Sequence, residues 1–320
     1  MRILFVTATR VGDAILSTGL LDHLTRAHPG ARLTIACGPA AASLFPAVPG
    51  LEKLIVLDKM VLSLHWLGLW TACVGCCWDI VVDLRNAPIT YLLWAKRRFG
   101  MGRSRPDEHR LVQLARVLGL ESAPPSPRVW TSAEARERAA RLVPDGPPVL
   151  AIGPTANWIG KTWRAERFVE LIERLTGPQG ILPGARVAVF GRDDERPQAL
   201  PVIEAIPEHR RIDLVLGLDL ATVHACLART ALYIGNDSGL MHLAASTGIP
   251  TLGLFGPSQE VHYAPCGPLA AAVRTEQSYD TIFPPGFDHR RTGTLMDGLS
   301  VESAATAAQG LWRRYQGAAA

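Results

Sequence analysis

Short apolar runs alternate with longer helical stretches along most of the chain. Residues 3–7 and 33–37 are apolar on both faces, as strands covered on both sides of a sheet are. Residues 53–57 and 80–83 read as further strands. Helices are predicted over 13–27, 61–77 and 107–119, the last after an arginine-rich loop. The pattern breaks at residues 122–127 (SAPPSP), passes a charged helix over 132–142 and meets a Pro/Gly linker at 143–148. It then restarts. Strands are predicted at 149–152, 186–190, 213–215, 231–234 and 251–255, and helices at 164–176, 194–205, 220–228, 239–247 and about 300–315. Two α/β halves follow, residues 1–145 and 146–320, each a Rossmann-like, doubly wound parallel sheet. The expectation is that the two face a cleft, with ligands beyond the carboxyl ends of the strands. The closing helix is left free to pack back on the first half.

Composition adds limits. The 320 residues are 48% hydrophobic, enough for two cores, and the formal net charge of +4 is too mild to point to nucleic acid. The apolar run at 3–6 is too short for a signal peptide, so a cytoplasmic protein is expected. Six scattered cysteines include Cys73-Val-Gly-Cys76 without a second metal-ligating pair, and they read as small core residues in a reducing compartment. Residues 61–78 (VLSLHWLGLWTACVGCCW) contain no formally charged residue over about the length of a membrane span. Two readings stay open: a helix packed within the first domain, or a Trp66/Trp70 face resting on a bilayer.

Candidate chemistry sits in the loops after strands. Gly12-Asp13 follows the first strand; Asp13 is either a helix N-cap or a general base. The first loop is not GxGxxG, so a dinucleotide is disfavoured. In GPTANWIGKTW, Gly153, Thr155, Asn157 and Lys161 form either a phosphate site or a turn with a solvated lysine. Asp193-Asp194-Glu195 could hold a metal or hydroxyls, or simply favour a helix start. In GNDSGLMH, Asp237, Ser238 and Gly239 stand at a helix start, where free amides favour an anion. His242 is one turn further in, within reach of a diphosphate or packed in its own domain. Lys96, Arg97, Arg98, Arg103, Arg105 and Arg110 form either a solvated basic loop or a site for an anionic acceptor.

RVGDAILSTGLLDHL, GKTWRAERFVELIERL, GRDDER and GNDSGLMHLAASTGIPTLGLFGPS, in that order, resemble glycosyltransferase family 9, the heptosyltransferases of lipopolysaccharide core synthesis. Residues 60–110 show no clear match to the family. The resemblance implies a GT-B architecture, with acceptor bound by the first domain and nucleotide sugar by the second. It implies an inverting, metal-independent transfer of a heptose from an ADP-sugar to a lipid-linked acceptor. Carried over, Asp13 is the catalytic base and Lys161 a catalytic and donor-phosphate residue. Thr155 also meets the phosphates, Glu195 the ribose, and Leu218 the adenine pocket. Asp237, Ser238, Gly239 and His242 form the donor-sugar and phosphate signature. The acceptor would meet Gly12, Arg97, Arg98, Arg103 and Arg105. No cofactor or metal is implied, the ADP-heptose donor being a substrate. The expected partners are that donor and a lipid-linked glycan at the inner face of the cytoplasmic membrane, for a monomer without nucleic acid. Another nucleotide-sugar transferase, a sugar-nucleotide epimerase of the same fold, and a non-catalytic sugar-nucleotide-binding protein remain alternatives.

Overall fold

The computed structural model describes residues 1–58, 64–103, 105–283, 287–288 and 292–319. The chain divides into two compact units, Met1–Ser132 and Ala133–Ala320.

The first unit runs β1 (Arg2–Val6), α1 (Val11–Ala27), β2 (Arg32–Cys37), β3 (Leu51–Val56), α2 (His65–Cys73), β4 (Trp78–Asp83), β5 (Ala95–Gly100) and α3 (Arg110–Arg116). Its sheet has the order β3-β2-β1-β4-β5, and every pairing is parallel. The central strands carry the buried residues Ile3, Leu4, Phe5, Val6, Ile80, Val81 and Val82. A strand covered on both faces cannot alternate polar and apolar residues, which is why these runs are continuously apolar.

Three expectations change here. The arginine-rich stretch is not a loop: residues 95–100 are the edge strand β5, with the burial of a strand that meets solvent along one side. Its lysine and arginines suit an edge, where charge opposes pairing with another chain. Helix α1 begins at Val11, so Asp13 is its third residue; the N-cap position belongs to Arg10, which makes no side-chain cap bond. The predicted helix 61–77 is shorter, His65–Cys73, and Val61, Leu62 and Ser63 lie outside the described residues.

The second unit opens with α4 (Ala133–Leu142), which lies against α7. It continues β6 (Val149–Gly153), α5 (Ala165–Thr176), β7 (Arg186–Gly191), α6 (Arg196–Ala205), β8 (Arg211–Val215), α7 (Leu220–Leu227), β9 (Leu232–Asn236) and α8 (Gly239–Ala245). Then follow β10 (Thr251–Phe255), α9 (Glu260–Tyr263), β11 (Ala270–Arg274), α10 (Tyr279–Ile282) and α11 (Val301–Ala319). The sheet order is β11-β10-β9-β6-β7-β8, again parallel throughout. The edge strand β11 (AAAVR) was not anticipated; alanines carry little strand preference. In α11, Val301, Ala304, Ala305, Ala308 and Leu311 join the core of this unit beside α5, β10 and β11, so the closing helix has its apolar stripe covered there.

One close approach shapes the middle of this sheet. Gly153 of β6 pairs with Gly235 of β9, and the fully buried Tyr233 lies across both. A Cβ on Gly153 would stand 2.1 Å from the Tyr233 hydroxyl, and one on Gly235 only 2.4 Å from it. Space for that ring requires glycine at position 153.

Candidate active site

Strands β6 and β9 are neighbours, but the chain leaves them for opposite edges of the sheet: β6 leads on to β7 and β9 to β10. Loops that diverge in this way open a crevice beyond the strand ends. At this point the ammonium of Lys161 meets the Asp237 carboxylate, Nζ to Oδ2 2.6 Å. Lys161 ends a short 3-10 turn, Ile159–Lys161, and keeps about a quarter of its side chain exposed; Asp237 follows β9 directly and is 8% exposed. The lysine is therefore not a solvated turn residue.

Asn236 holds the two loops together. Its side-chain oxygen accepts from the Trp163 amide at 3.1 Å, and its Nδ2 donates to the Pro154 carbonyl at 2.8 Å. The side chain is fully buried. From the other side, the Leu295 amide donates to the Gly160 carbonyl (3.0 Å) and Thr294 Oγ1 to the Thr162 carbonyl (2.6 Å). The Lys161 loop is thus tied along its length. Removing a buried partner on both sides costs more than one hydrogen bond is worth. Asn236→Ala is expected to destabilise the chain by about 2–3 kcal/mol, lowering the melting temperature by roughly 5–10 °C. Differential scanning fluorimetry checks this; an unchanged melting temperature would remove Asn236 from its clamping role.

The next loops along the same edge carry the other donor candidates. Thr155 Oγ1 donates to Glu195 Oε2 at 2.8 Å, and the same oxygen accepts from the Arg192 amide at 3.1 Å. The Arg192 guanidinium pairs with Asp194 at 2.7 Å and reaches Glu195 at 3.5 Å. Among the described residues no group of three His, Cys, Asp or Glu side chains is placed to hold a metal. Leu218 is half-buried just beyond β8, ahead of Asp219, which caps α7 by accepting from the Thr222 amide (2.9 Å). Asp237, the Thr155–Lys161 loop, Glu195 and Leu218 thus follow β9, β6, β7 and β8, four strands in spatial sequence.

Ser238 is the N-cap residue of α8, though its hydroxyl accepts nothing from the helix amides, and Gly239 opens the helix. His242 is 4% exposed and sets its ring edge-on to Tyr263 of α9, with 6.5 Å between centroids.

In the first unit β1 and β4 occupy the equivalent central position. Asp13, in the first turn after β1, accepts from Arg110 Nε at 3.0 Å. Arg110 reaches it from the start of α3, where His109 Nδ1 caps by accepting from the Leu111 amide; its other arm donates to Gln113 Oε1 at 3.2 Å. Gly12 is half-buried beside Asp13. At the end of β4, the buried Asp83 accepts from the Arg85 and Ala87 amides (2.8 and 2.7 Å) and from Thr90 Oγ1 (2.9 Å). Burial pushes its carboxyl above the usual range, against the pull of those donors. Sequence reasoning missed Asp83. The signal was an acid ending an apolar run before the turn-forming Asn86-Ala87-Pro88.

The basic cluster is not gathered as expected. Arg97 and Arg98 are successive strand residues and take opposite faces. Arg97 is exposed, whereas Arg98 is half-buried, donates to the Leu93 carbonyl and lies over the Tyr91 ring, 5.9 Å from its centroid. Arg103 and Arg105 are exposed in the segment beyond β5. Of the group singled out in the sequence, Arg110 is the one bound to Asp13.

The sequence profile of glycosyltransferase family 9 (heptosyltransferase) matches residues 102–282, more than half of the chain. The chain belongs to this family. Among its curated relatives, lipooligosaccharide heptosyltransferase 2 of Haemophilus influenzae is 29% identical over 40% of this chain; the chain spans 36% of that protein's length. Among solved structures, a family 9 glycosyltransferase from Veillonella parvula shares the fold with a TM-score of 0.80, at 22% identity, over 98% of this chain and 97% of that one. The ADP-heptose lipopolysaccharide heptosyltransferase II of Escherichia coli follows with a TM-score of 0.77 at 16% identity, covering 99% of this chain and all of the other. Each unit therefore has the parallel-sheet α/β form of one half of a GT-B fold. The family 9 match takes in Arg110 and every donor candidate from Thr155 to His242, and stops short of Asp13.

Proposed function

We propose that this family 9 chain transfers a heptose from ADP-heptose to a lipopolysaccharide-core or related lipid-linked glycan, with inversion at the anomeric carbon and without a metal. The observation that carries the reading is the Lys161–Asp237 pair, fixed where β6 and β9 diverge and continued along the sheet edge by Thr155–Glu195 and Leu218. Leu218 receives the adenine, Glu195 and Thr155 the ribose and inner phosphate, Lys161 the diphosphate, and Asp237 the sugar hydroxyls. Ser238, Gly239 and the amides at 237–239 complete the anion cradle, with His242 behind them.

Asp13 takes the proton from an acceptor hydroxyl. The hydroxyl oxygen forms its bond to the anomeric carbon as the bond from that carbon to the diphosphate oxygen breaks, and ADP leaves with the electron pair. Negative charge grows on the diphosphate during this step, so a fixed ammonium stabilises the transition state more than the bound donor. Arg110 keeps the Asp13 carboxylate in one orientation. The second unit holds the donor and the first the acceptor, at the inner surface of the cytoplasmic membrane. The relatives' names support the donor and acceptor classes, being those of lipopolysaccharide and lipooligosaccharide heptosyltransferases.

A donor screen tests the reading. Purified protein is given ADP-heptose, ADP-glucose, UDP-glucose or GDP-mannose, each with and without a lipid-linked core acceptor and with and without EDTA. Nucleotide release that needs both ADP-heptose and acceptor is expected. Equal turnover of a uridine donor, or loss of transfer on chelation, would overturn the donor or the metal-free chemistry respectively.

A further inference from the structure

Residues 64–78 contain no Asp, Glu, Lys or Arg. The inner face of α2 is accounted for: His65, Leu69 and Cys73 are buried, and the last two share a core cluster with Trp78, Leu93 and, half-buried, Trp66 and Trp70. Those two tryptophans therefore pack inward, which answers to the packed-helix reading and not to a Trp66/Trp70 face on a bilayer. The outer face is Leu64, Leu67, Gly68, Thr71 and Val74, spaced by three and four. A surface helix ordinarily presents charge there; this one presents none.

The apolar surface continues beyond the helix. The 3-10 turn Pro88–Leu92 packs on α2; its Tyr91 and Leu92, and Trp94 just beyond it, are 65, 67 and 76% exposed. Cations border it on several sides. Lys53 reaches the Ala72 carbonyl at the end of α2 (3.4 Å), Arg85 lies 4.6 Å from the Trp66 ring, and Lys96 of β5 is exposed beside its partner Asp79 (2.7 Å). Residues 51–105 hold eight Lys or Arg against four Asp or Glu, an excess equal to the +4 of the whole chain.

We propose that this α2–β5 surface seats the first unit on an anionic lipid bilayer. Leu64, Leu67, Tyr91, Leu92 and Trp94 enter the boundary between headgroups and acyl chains, and Lys53 and Lys96 meet the headgroups. A nine-residue helix lies on such a surface rather than through it, and among the described residues no helix is long and apolar enough to cross a membrane. Charge complementarity selects lipid over a second copy of the chain: an isologous pair would set one basic border against another. The proposal deepens the reading of a lipid-linked acceptor and rests on it for the lipid's biological source.

The test uses the whole protein and no acceptor. It is sedimented with extruded vesicles of phosphatidylcholine alone or mixed with phosphatidylglycerol. Binding to mixed vesicles is expected, about tenfold weaker on phosphatidylcholine alone, and weaker with added salt. The Leu67→Ser/Leu92→Ser/Trp94→Ser variant should bind mixed vesicles about tenfold less or worse, with melting temperature and ADP affinity unchanged. Wild-type protein that stays in the supernatant, or a variant that binds as well as wild type, overturns the proposal. So does a wild-type dimer in analytical ultracentrifugation that the variant abolishes, which would assign the surface to a second copy. Because no transfer is measured, failure here leaves the donor screen standing, and failure of the screen leaves this result standing.

Discussion

Asp13→Asn is expected to lower transfer by about three orders of magnitude while ADP affinity stays within about twofold of wild type. An asparagine oxygen can still accept from Arg110 Nε, the 3.0 Å bond that Asp13 makes now. The side chain has the same shape, and it lies in the first turn of α1 without an N-cap duty to lose. The pair is partly exposed, 14% on Asp13 and 22% on Arg110, so removing its charge costs stability about 1 kcal/mol at most. What disappears is the ability to take a proton. Donor contacts are all assigned to the second unit, so donor affinity has no reason to move. A steady-state assay of ADP release gives kcat, and calorimetry with ADP gives the affinity. Turnover within tenfold of wild type would end the assignment of Asp13 as base. A parallel loss of ADP binding would make its role structural.

How far the sequence reached can be followed through particular residues. Strands β1, β4, β6, β9 and β10 are covered on both faces, so their apolar runs stood out against the helices between them. The two strands that were missed, β5 and β11, are edges. AKRRFG has the charges an edge tolerates and AAAVR has no branched residue until its fourth position, so neither shows a buried-strand pattern. The candidate site was legible as far as single loops go, because strand ends in a parallel sheet are where ligand loops arise. The pairings were not. Lys161 and Asp237 are 76 residues apart, and Asp13 and Arg110 are 97 apart; each pair meets through tertiary structure that no local spacing encodes. Asn236 shows the same limit within one motif. In GNDSG it read as one more polar residue ahead of a helix, yet it ends β9 and ties two loops that only the folded sheet brings together.

Lys161 offers the sharpest separation of stability from catalysis. Lys161→Met should lower transfer by about 10²–10³-fold, the usual range for losing a preorganised group at developing negative charge. It should also destabilise the second unit by about 2 kcal/mol, roughly 5 °C in melting temperature, because Asp237 is 8% exposed and would keep its charge without its 2.6 Å partner. The single substitution therefore cannot say which effect stops the reaction. Adding Asp237→Asn removes the orphaned charge, and the melting temperature of the Lys161→Met/Asp237→Asn protein should return most of the way to wild type. Transfer should not return, since an amide beside a methionine supplies no positive charge to the departing diphosphate. The coupling between the two substitutions is then large and favourable in the melting curve and absent in kcat. Recovery of transfer in the double variant would mean that Lys161 serves only to balance Asp237, and the diphosphate would need another source of positive charge. Persistence of both losses would mean that the ammonium orders the 154–163 loop in a way that Asn236 alone does not sustain.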